Sequence, residues 1–131
     1  MITPVIMDSS AMIAIALREK RGEQARQIIR SAPGSCFIHA VNAFEVVAVL
    51  MRRGLREADA QRAVTFGGVI LVEETPEKLI YHAARIKDAH SDLSLGDCHC
   101  LAFAEEMKGY LLTTEEELTK ALTTIKVIRL L

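Results

Sequence analysis

Residues 4–17 read PVIMDSSAMIAIAL, an apolar run that gives way to a polar turn and then to a second apolar run. The first run, Pro4 to Met7, is short and stops at Asp8, which is typical of a β-strand. The second run, Ala11 to Leu17, is rich in Ala and Ile and predicts a helix. This part of the chain is therefore predicted to form a strand, a polar turn and a helix.

The same alternation of strands and helices is predicted for the rest of the chain. Further strands are predicted at 36–39, 69–72, 110–113 and 125–130, and helices at 23–30, 41–53, 58–66, 75–90, 97–108 and 115–122. Gly22, Gly67-Gly68 and Gly109 are predicted to break or end helices, and Pro76 to take a first helical position. Short, non-alternating strands between helices are typical of a parallel sheet covered on both faces. We expect one α/β domain over residues 1–131.

The composition is that of an ordinary folded domain. Half of the 131 residues are apolar, and 16 Lys and Arg stand against 17 Asp and Glu. The resulting net charge of −1 argues against a protein that binds nucleic acid by charge alone. The charge is uneven: residues 1–65 carry nine basic and six acidic residues (+3), and residues 66–131 carry seven and eleven (−4).

The three cysteines, Cys36, Cys98 and Cys100, are odd in number and form no C-x-x-C pair. They indicate neither a disulfide framework nor a zinc ribbon, and we expect Cys98 and Cys100 to be small core residues in a cytoplasmic protein. No uncharged stretch reaches the roughly 20 residues that span a bilayer, and no basic segment precedes the first apolar run as in a signal peptide. We therefore expect no membrane partner.

Three acidic residues lie at predicted strand–helix junctions: Asp8, Asp97 and Glu115. Each also has a structural interpretation, because Asp8 fits a helix N-cap, Ser94 to Asp97 resembles a capping box, and Glu115 begins a run of three glutamates. In a parallel α/β sheet, however, ligands bind at the carboxyl ends of the strands. We therefore expect these carboxylates to converge at that edge.

Glu45 lies in the helical segment AVNAFEVVAVLM, residues 40–51, whose one other polar residue is Asn42. Residues three apart lie on the same side of a helix, so Asn42 and Glu45 share one edge of an otherwise apolar helix. A carboxylate in such a helix is rarely buried without a partner. The alternatives are an ion pair with a nearby Arg and an exposed side chain, but we favour a polar cavity.

Four carboxylates in one pocket repel one another unless cations offset their charge. Oxygen ligands of this kind are typical of Mg²⁺ or Mn²⁺, and Mg²⁺ often bridges a carboxylate and a substrate phosphate. The acidic residues Asp8, Glu45, Asp97 and Glu115 therefore indicate a metal site, and phosphodiester hydrolysis with a metal-activated water is the reaction that fits it.

The motifs that carry these acids, DSSA at 8–11, Glu45, LSLGD at 93–97 and LLTTE at 111–115, resemble those of PIN-domain ribonucleases of the VapC toxin type. The resemblance covers nearly the whole chain. It implies that Asp8, Glu45, Asp97 and Glu115 are the four acids of the site, and that Ser10 is its Ser/Thr position. The fourth acid is usually aspartate in that family, so Glu116 is an alternative to Glu115, and Asp92 is a candidate fifth, outer acid.

The resemblance further implies a Rossmann-like three-layer α/β/α sandwich with about five strands, a magnesium-dependent endoribonuclease, a homodimer and a small cognate antitoxin. Two basic clusters are candidate RNA contacts or solvated helix ends: Arg18, Lys20 and Arg21, and Arg52, Arg53 and Arg56. The four histidines, His39, His82, His90 and His99, show no metal-binding spacing.

Three other functions remain open from the residues. A phosphatase with an aspartyl nucleophile also places an aspartate after its first strand, but such enzymes of the haloacid dehalogenase type need D-x-D, and this chain has Ser10 as the third residue. A receiver-like module would need an acceptor aspartate after the third strand, where this chain has Glu73 and Glu74. A non-catalytic module whose acidic pocket binds a basic peptide is the main alternative.

Overall fold

The computed structural model describes residues 2–131 and contains a five-stranded sheet in which all strands are parallel. The strand order is β3-β2-β1-β4-β5, so β1 is central. The strands are β1 (Val5–Met7), β2 (Cys36–His39), β3 (Ile70–Val72), β4 (Tyr110–Thr113) and β5 (Val127–Arg129). The predicted α/β sheet is thereby confirmed, and all four of its strand pairs are parallel.

Helices cover both faces of the sheet. Because alternate residues of a strand point to opposite faces, Val5 and Met7 pack with α1 to α4, whereas Ile6 packs with α5 to α7. The helices are α1 (Ser9–Ala16), α2 (Lys20–Ser31), α3 (Ala40–Arg52), α4 (Glu57–Val64), α5 (Glu77–Ala89), α6 (Leu95–Met107) and α7 (Glu116–Thr119). The predicted three-layer sandwich is confirmed. Within residues 2–131, no helix has the length and apolar character needed to cross a membrane.

The prediction that Gly22 breaks a helix is wrong, because Gly22 lies inside α2. A Cβ atom at Gly22 would lie 2.7 Å from the carbonyl carbon of Ala14 in α1. The missing side chain therefore lets α1 and α2 approach closely. Hydrophobic periodicity cannot distinguish such a contact glycine from a helix-breaking one.

Two other predicted helix ends are also shifted. Pro76 is the N-cap of α5 with ψ at 150°, not its first helical residue. At the end of α6 the left-handed residue is Lys108, with φ at 53°, rather than Gly109. Gly109 instead passes close to β1, since a Cβ there would lie 2.6 Å from the Pro4 carbonyl oxygen.

The two halves of the sheet are wound in opposite directions from the central strand β1. From β1 the sheet extends to β2 and β3 on one side and to β4 and β5 on the other. In such sheets the crevice outside the carboxyl ends of the strands at this switch point is the usual ligand site. Asp8 directly follows β1 there, and Glu115 lies two residues beyond the end of β4.

Candidate metal centre

Asp8 is fully buried and surrounded by hydrogen-bond donors. It is the N-cap of α1, and its Oδ1 accepts a 2.9 Å bond from the amide of Ser9. Its Oδ2 accepts bonds of 2.7 Å from both the Ser10 hydroxyl and the Thr113 hydroxyl. The proposed capping role is therefore confirmed, and the same contacts fix the carboxylate plane at the carboxyl end of the central strand.

Ser10 and Thr113 tie the start of α1 to the end of β4. Besides contacting Asp8, Ser10 Oγ accepts a 3.0 Å bond from the amide of Thr114. Thr113 Oγ1 accepts a 2.9 Å bond from the amide of Glu115. The Ser10 hydroxyl thus orients Asp8 in this structure. Thr113 was not predicted as a site residue, although its position at the end of a buried strand was a usable signal.

Glu45 is held by Asn42, as the shared helix edge predicted. Asn42 Nδ2 donates to Glu45 Oε1 at 3.0 Å and to the Gly96 carbonyl oxygen at 3.1 Å. Burial raises the pKa of Glu45, and the charges of Asp8 and Glu115 raise it further, whereas the bond from Asn42 lowers it. Glu45 therefore faces other acids rather than an arginine.

Asp97 lies in the first turn of α6, where its amide donates a 3.1 Å bond to Ser94 Oγ, the N-cap. Burial and, next, the charge of Asp8 raise the pKa of Asp97 to about 6. The charges of Glu115 and Glu45 add to this rise. All four predicted acids thus act on one another, and a proton or a cation at Asp97 relieves the repulsion.

Glu115 is exposed at the N-cap of α7. Partial desolvation and the charge of Asp8 raise its pKa, whereas the charges of Arg21 and Arg129 lower it. Arg129 was not predicted; it lies on β5 opposite Thr113.

The other two candidate acids lie outside this group. Glu116 pairs with Lys120 at 3.9 Å and contributes to none of the raised pKa values of the site, so the structure favours Glu115 as the fourth acid. Asp92 is exposed, and its charge acts on Cys98 instead.

The donor set fits a hard divalent cation, because it consists of carboxylate oxygens with no basic residue among their hydrogen-bond partners. Three of the four acids have raised pKa values, caused first by burial and then by the negative charges of the neighbouring acids. Among residues 2–131, no three Asp, Glu, His or Cys side chains stand close enough to hold an ion as they are placed. The fit therefore lies in the chemistry of the donor set, in which every candidate ligand atom is a carboxylate oxygen.

A family model described as the PIN domain matches residues 5–121. The chain belongs to the PIN domain family. The resemblance seen in the four acidic motifs is thereby confirmed. No curated protein matches this chain in sequence.

Solved structures of toxins have the same fold as this PIN domain. VapC20 of Mycobacterium tuberculosis, described as a sarcin-ricin loop cleaving toxin, has a TM-score of 0.74 and 21% identity over 88% of this chain and 93% of that chain. DNA-bound VapBC from Salmonella typhimurium has a TM-score of 0.70 and 10% identity, over 99% of this chain and 100% of that chain. A toxin–antitoxin complex from Klebsiella pneumoniae has a TM-score of 0.68 and 18% identity, over 95% of both chains. At such identities the likeness concerns the fold.

Arg21 is the member of the two predicted basic clusters whose charge acts on the acids of the PIN domain. It is paired with Glu19 at 2.9 Å, and its charge lowers the pKa of Glu115, so Arg21 borders the acidic edge. Arg52 is seven residues beyond Glu45 in α3, about 10 Å along the helix axis, and lies toward the opposite edge of the sheet. Arg21 is therefore the better candidate for contacting a substrate at the acids.

The sequence did not indicate two buried contacts of the PIN domain, one between His39 and His99 and one between Cys100 and Asp8. His99 Nε2 lies 2.8 Å from His39 Nδ1, and His39 Nε2 lies 2.8 Å from the Glu74 carbonyl oxygen. Because that carbonyl can accept but not donate, His39 carries its proton on Nε2, and His99 donates to His39. Cys100 is buried as predicted, but its thiol lies 3.6 Å from Asp8 Oδ1 and is part of the site wall.

Proposed function

We propose that this PIN domain is a metal-dependent endoribonuclease, with Mg²⁺ or Mn²⁺ as its cofactor. The observation that carries the proposal is the convergence of the four acids at the carboxyl edge, where burial and, next, the charge of Asp8 raise the pKa of Asp97 to about 6. A fold that keeps such a cluster gives up stability there, which is typical of a functional site. Likeness to a toxin described as cleaving the sarcin-ricin loop supports RNA as the substrate.

In this proposal Asp8, Glu45 and Asp97 hold the metal, and Glu115 contributes directly or through a water. When bound, a divalent cation activates water and offsets the charge that develops on the phosphate. Ser10 and Thr113 keep the Asp8 carboxylate in one orientation through their 2.7 Å bonds. We assign contacts with the phosphates that flank the cleaved bond to Arg21 and Arg129, whose charges act on Glu115.

We further propose that the chain is the toxin of a toxin–antitoxin pair, that it is a homodimer, and that it acts in the cytoplasm. The support for the partners is that structures of the same fold are complexes with an antitoxin. This PIN domain also exposes large apolar side chains beside two of the acids, Phe44 at 73% and Leu95 at 74%. Exposed apolar surface of this kind marks protein interfaces. The three buried, reduced cysteines agree with a reducing compartment.

Removal of divalent metal is expected to stop cleavage of RNA, because the four acids then repel a phosphodiester. In EDTA we expect loss of all specific cleavage, and full recovery on adding Mg²⁺ or Mn²⁺ in excess of the chelator. Gel analysis of a susceptible RNA measures this. Specific cleavage at the normal rate in EDTA would rule out the proposed mechanism.

Metal affinity is expected to fall as the pH is lowered through 6. The pKa of Asp97 is raised to about 6, so below this pH the metal must displace a proton from Asp97 before binding. The release of one proton weakens the observed affinity about tenfold per pH unit. Calorimetric titration of Mn²⁺ between pH 5 and pH 8 measures this slope. An affinity that is the same at pH 5 and pH 7 would contradict the assignment of Asp97 as a ligand.

The alternative is a non-catalytic module whose acidic pocket binds a basic peptide, such as an antitoxin segment with an arginine. The pocket fits that role as well, since a guanidinium would also relieve the repulsion around Asp97. The same calorimetric titration separates the two. A binding module would take up no Mg²⁺ or Mn²⁺ specifically, whereas the nuclease takes it up and loses this uptake when Asp97 is replaced with asparagine.

A further inference from the structure

Asn42 connects α3 and α6, the two helices that carry Glu45 and Asp97. It is buried, with 1% of its surface exposed, in the first turn of α3. Its side-chain amide reaches Glu45 Oε1 at 3.0 Å and the carbonyl oxygen of Gly96 at 3.1 Å. Gly96 directly precedes Asp97. A single amide group therefore joins one acid to the helix turn that bears another.

The orientation of this amide follows from its two partners. A carboxylate and a carbonyl can only accept, so the Asn42 NH₂ group must face both of them. The amide oxygen, Oδ1, is then buried without a hydrogen-bond partner among the described residues. An unpaired buried acceptor costs stability. This cost offsets part of the stability that the two donated bonds provide, so the contacts of the NH₂ group suggest a role beyond folding.

Gly96 completes the contact by having no side chain. A Cβ atom there would lie 2.6 Å from the Glu45 carboxyl carbon and would overlap its oxygens. The backbone of Gly96 is outside the left-handed region, so a side chain here is opposed by the position of the Glu45 carboxylate and not by the backbone conformation. The start of α6 can thus approach the Glu45 carboxylate directly.

We propose that Asn42 and Gly96 are positioning residues that hold the Glu45 carboxylate against the first turn of α6, so that Glu45 and Asp97 bind the same divalent cation. The inference rests on the proposed metal-dependent function and adds residues that do not touch the metal themselves. It explains how two carboxylates that repel each other are kept together before metal arrives. Partners of metal ligands have this role in other metal sites, where losing one weakens binding about 10–100-fold.

Asn42→Leu is the test variant, because leucine has a similar size, removes the NH₂ donor and also removes the unpaired oxygen. We expect its Mn²⁺ dissociation constant to rise at least about tenfold. We expect its melting temperature without metal to equal or exceed that of the wild type. A residue with a merely structural role would show the reverse, with lower stability and unchanged affinity per folded molecule. Mn²⁺ binding is measured by electron paramagnetic resonance of the free ion.

Gly96→Ala and Gly109→Ala are a matched pair of glycine variants. Gly96→Ala displaces the Glu45 carboxylate and is expected to weaken Mn²⁺ binding by a similar factor. In Gly109→Ala the new Cβ atom would lie 2.6 Å from the Pro4 carbonyl oxygen, at the opposite edge of the sheet. This variant is expected to have a lower melting temperature and an unchanged Mn²⁺ affinity. If Asn42→Leu does not fold, Gly96→Ala carries the same test.

The outcomes separate this inference from the proposed function. If wild type binds Mn²⁺ and both Asn42→Leu and Gly96→Ala bind it equally well, the inference is wrong and the metal-dependent function stands. If wild type binds no Mn²⁺ at millimolar concentration, the proposed function fails and the inference falls with it. Weaker binding in both variants but not in Gly109→Ala supports the inference.

Discussion

Replacing Asp97 with asparagine is expected to abolish RNA cleavage and, at the same time, to stabilise the metal-free protein. Cleavage should fall by about 10³-fold or more, because the variant loses a charged metal ligand at the reacting phosphate. Stability should rise because burial of a neutral amide costs less than burial of a carboxylate, the main cause of the raised pKa of Asp97, and because the amide no longer repels Asp8, Glu115 and Glu45. Opposite effects on activity and stability are typical of a residue kept for function.

The stabilisation is expected to depend on pH in a defined direction. The pKa of Asp97 in the folded protein is about 6, above its ordinary value of 3.8, so its stability contribution is complete below about pH 4. That contribution is lost as the pH rises through 6. The free energies of unfolding of wild type and Asp97→Asn should therefore agree near pH 4. Above pH 7 they should differ by about 1–2 kcal/mol, a value reduced for the partial exposure of Asp97.

Urea unfolding in EDTA at pH 4, 5.5 and 7.5 measures this difference. Asp88→Asn is the matched control, because Asp88 is an exposed acid on α5 whose charge is not among those that raise the pKa of Asp97, and it should change neither stability nor cleavage. An Asp97→Asn protein that is less stable than wild type at pH 7.5 would contradict the electrostatic description of the site.

Replacing Asp8 with alanine is expected to abolish cleavage to the same extent but to destabilise the protein. Asp8 is the acceptor for the amide of Ser9 and the hydroxyls of Ser10 and Thr113, all in a buried setting. Alanine removes the helix cap, which costs about 0.5–2 kcal/mol, and leaves buried donors unpaired, which costs about 1–3 kcal/mol. The charge of Asp8 also raises the pKa of Asp97, so relief of this repulsion offsets part of the loss, and we expect a net loss of about 1–3 kcal/mol.

Denaturant unfolding of Asp8→Ala at pH 7.5 without metal tests this second prediction, with Asp88→Ala as its control. The comparison with Asp97→Asn is informative, because two acids of one site should shift stability in opposite directions. If Asp8→Ala were as stable as wild type, the hydrogen bonds that orient Asp8 would not contribute as described.

The fold and the four acids could be predicted because their signals are local. Each strand is a short apolar run, and Asp8 and Glu115 stand just beyond strand ends, so the parallel topology alone brings them to one edge. Glu45 was identified because it interrupts an apolar helix. The strand limits at Cys36–His39 and Tyr110–Thr113 agree with the prediction for the same reason.

The residues that support the acids could not be predicted, because their roles depend on register between distant segments. Thr113 contacts Asp8 because β1 and β4 pair with Met7 opposite Leu112. The Cys100 thiol reaches Asp8 because α6 packs against β1, which no pattern within α6 reveals. Gly22 looked like a helix break because its neighbour, Ala14, lies in another helix.

The most direct test of the central claim, that the acids at the carboxyl edge form a metal-dependent ribonuclease site, is mapping of RNA 5′ ends. Total cellular RNA is incubated with the purified protein and Mg²⁺ or Mn²⁺, and its ends are sequenced. The account predicts discrete new ends with wild type that are absent in EDTA and absent with Asp97→Asn. The same ends produced by Asp97→Asn, or by wild type in EDTA, would contradict it, as would the absence of new ends under every condition.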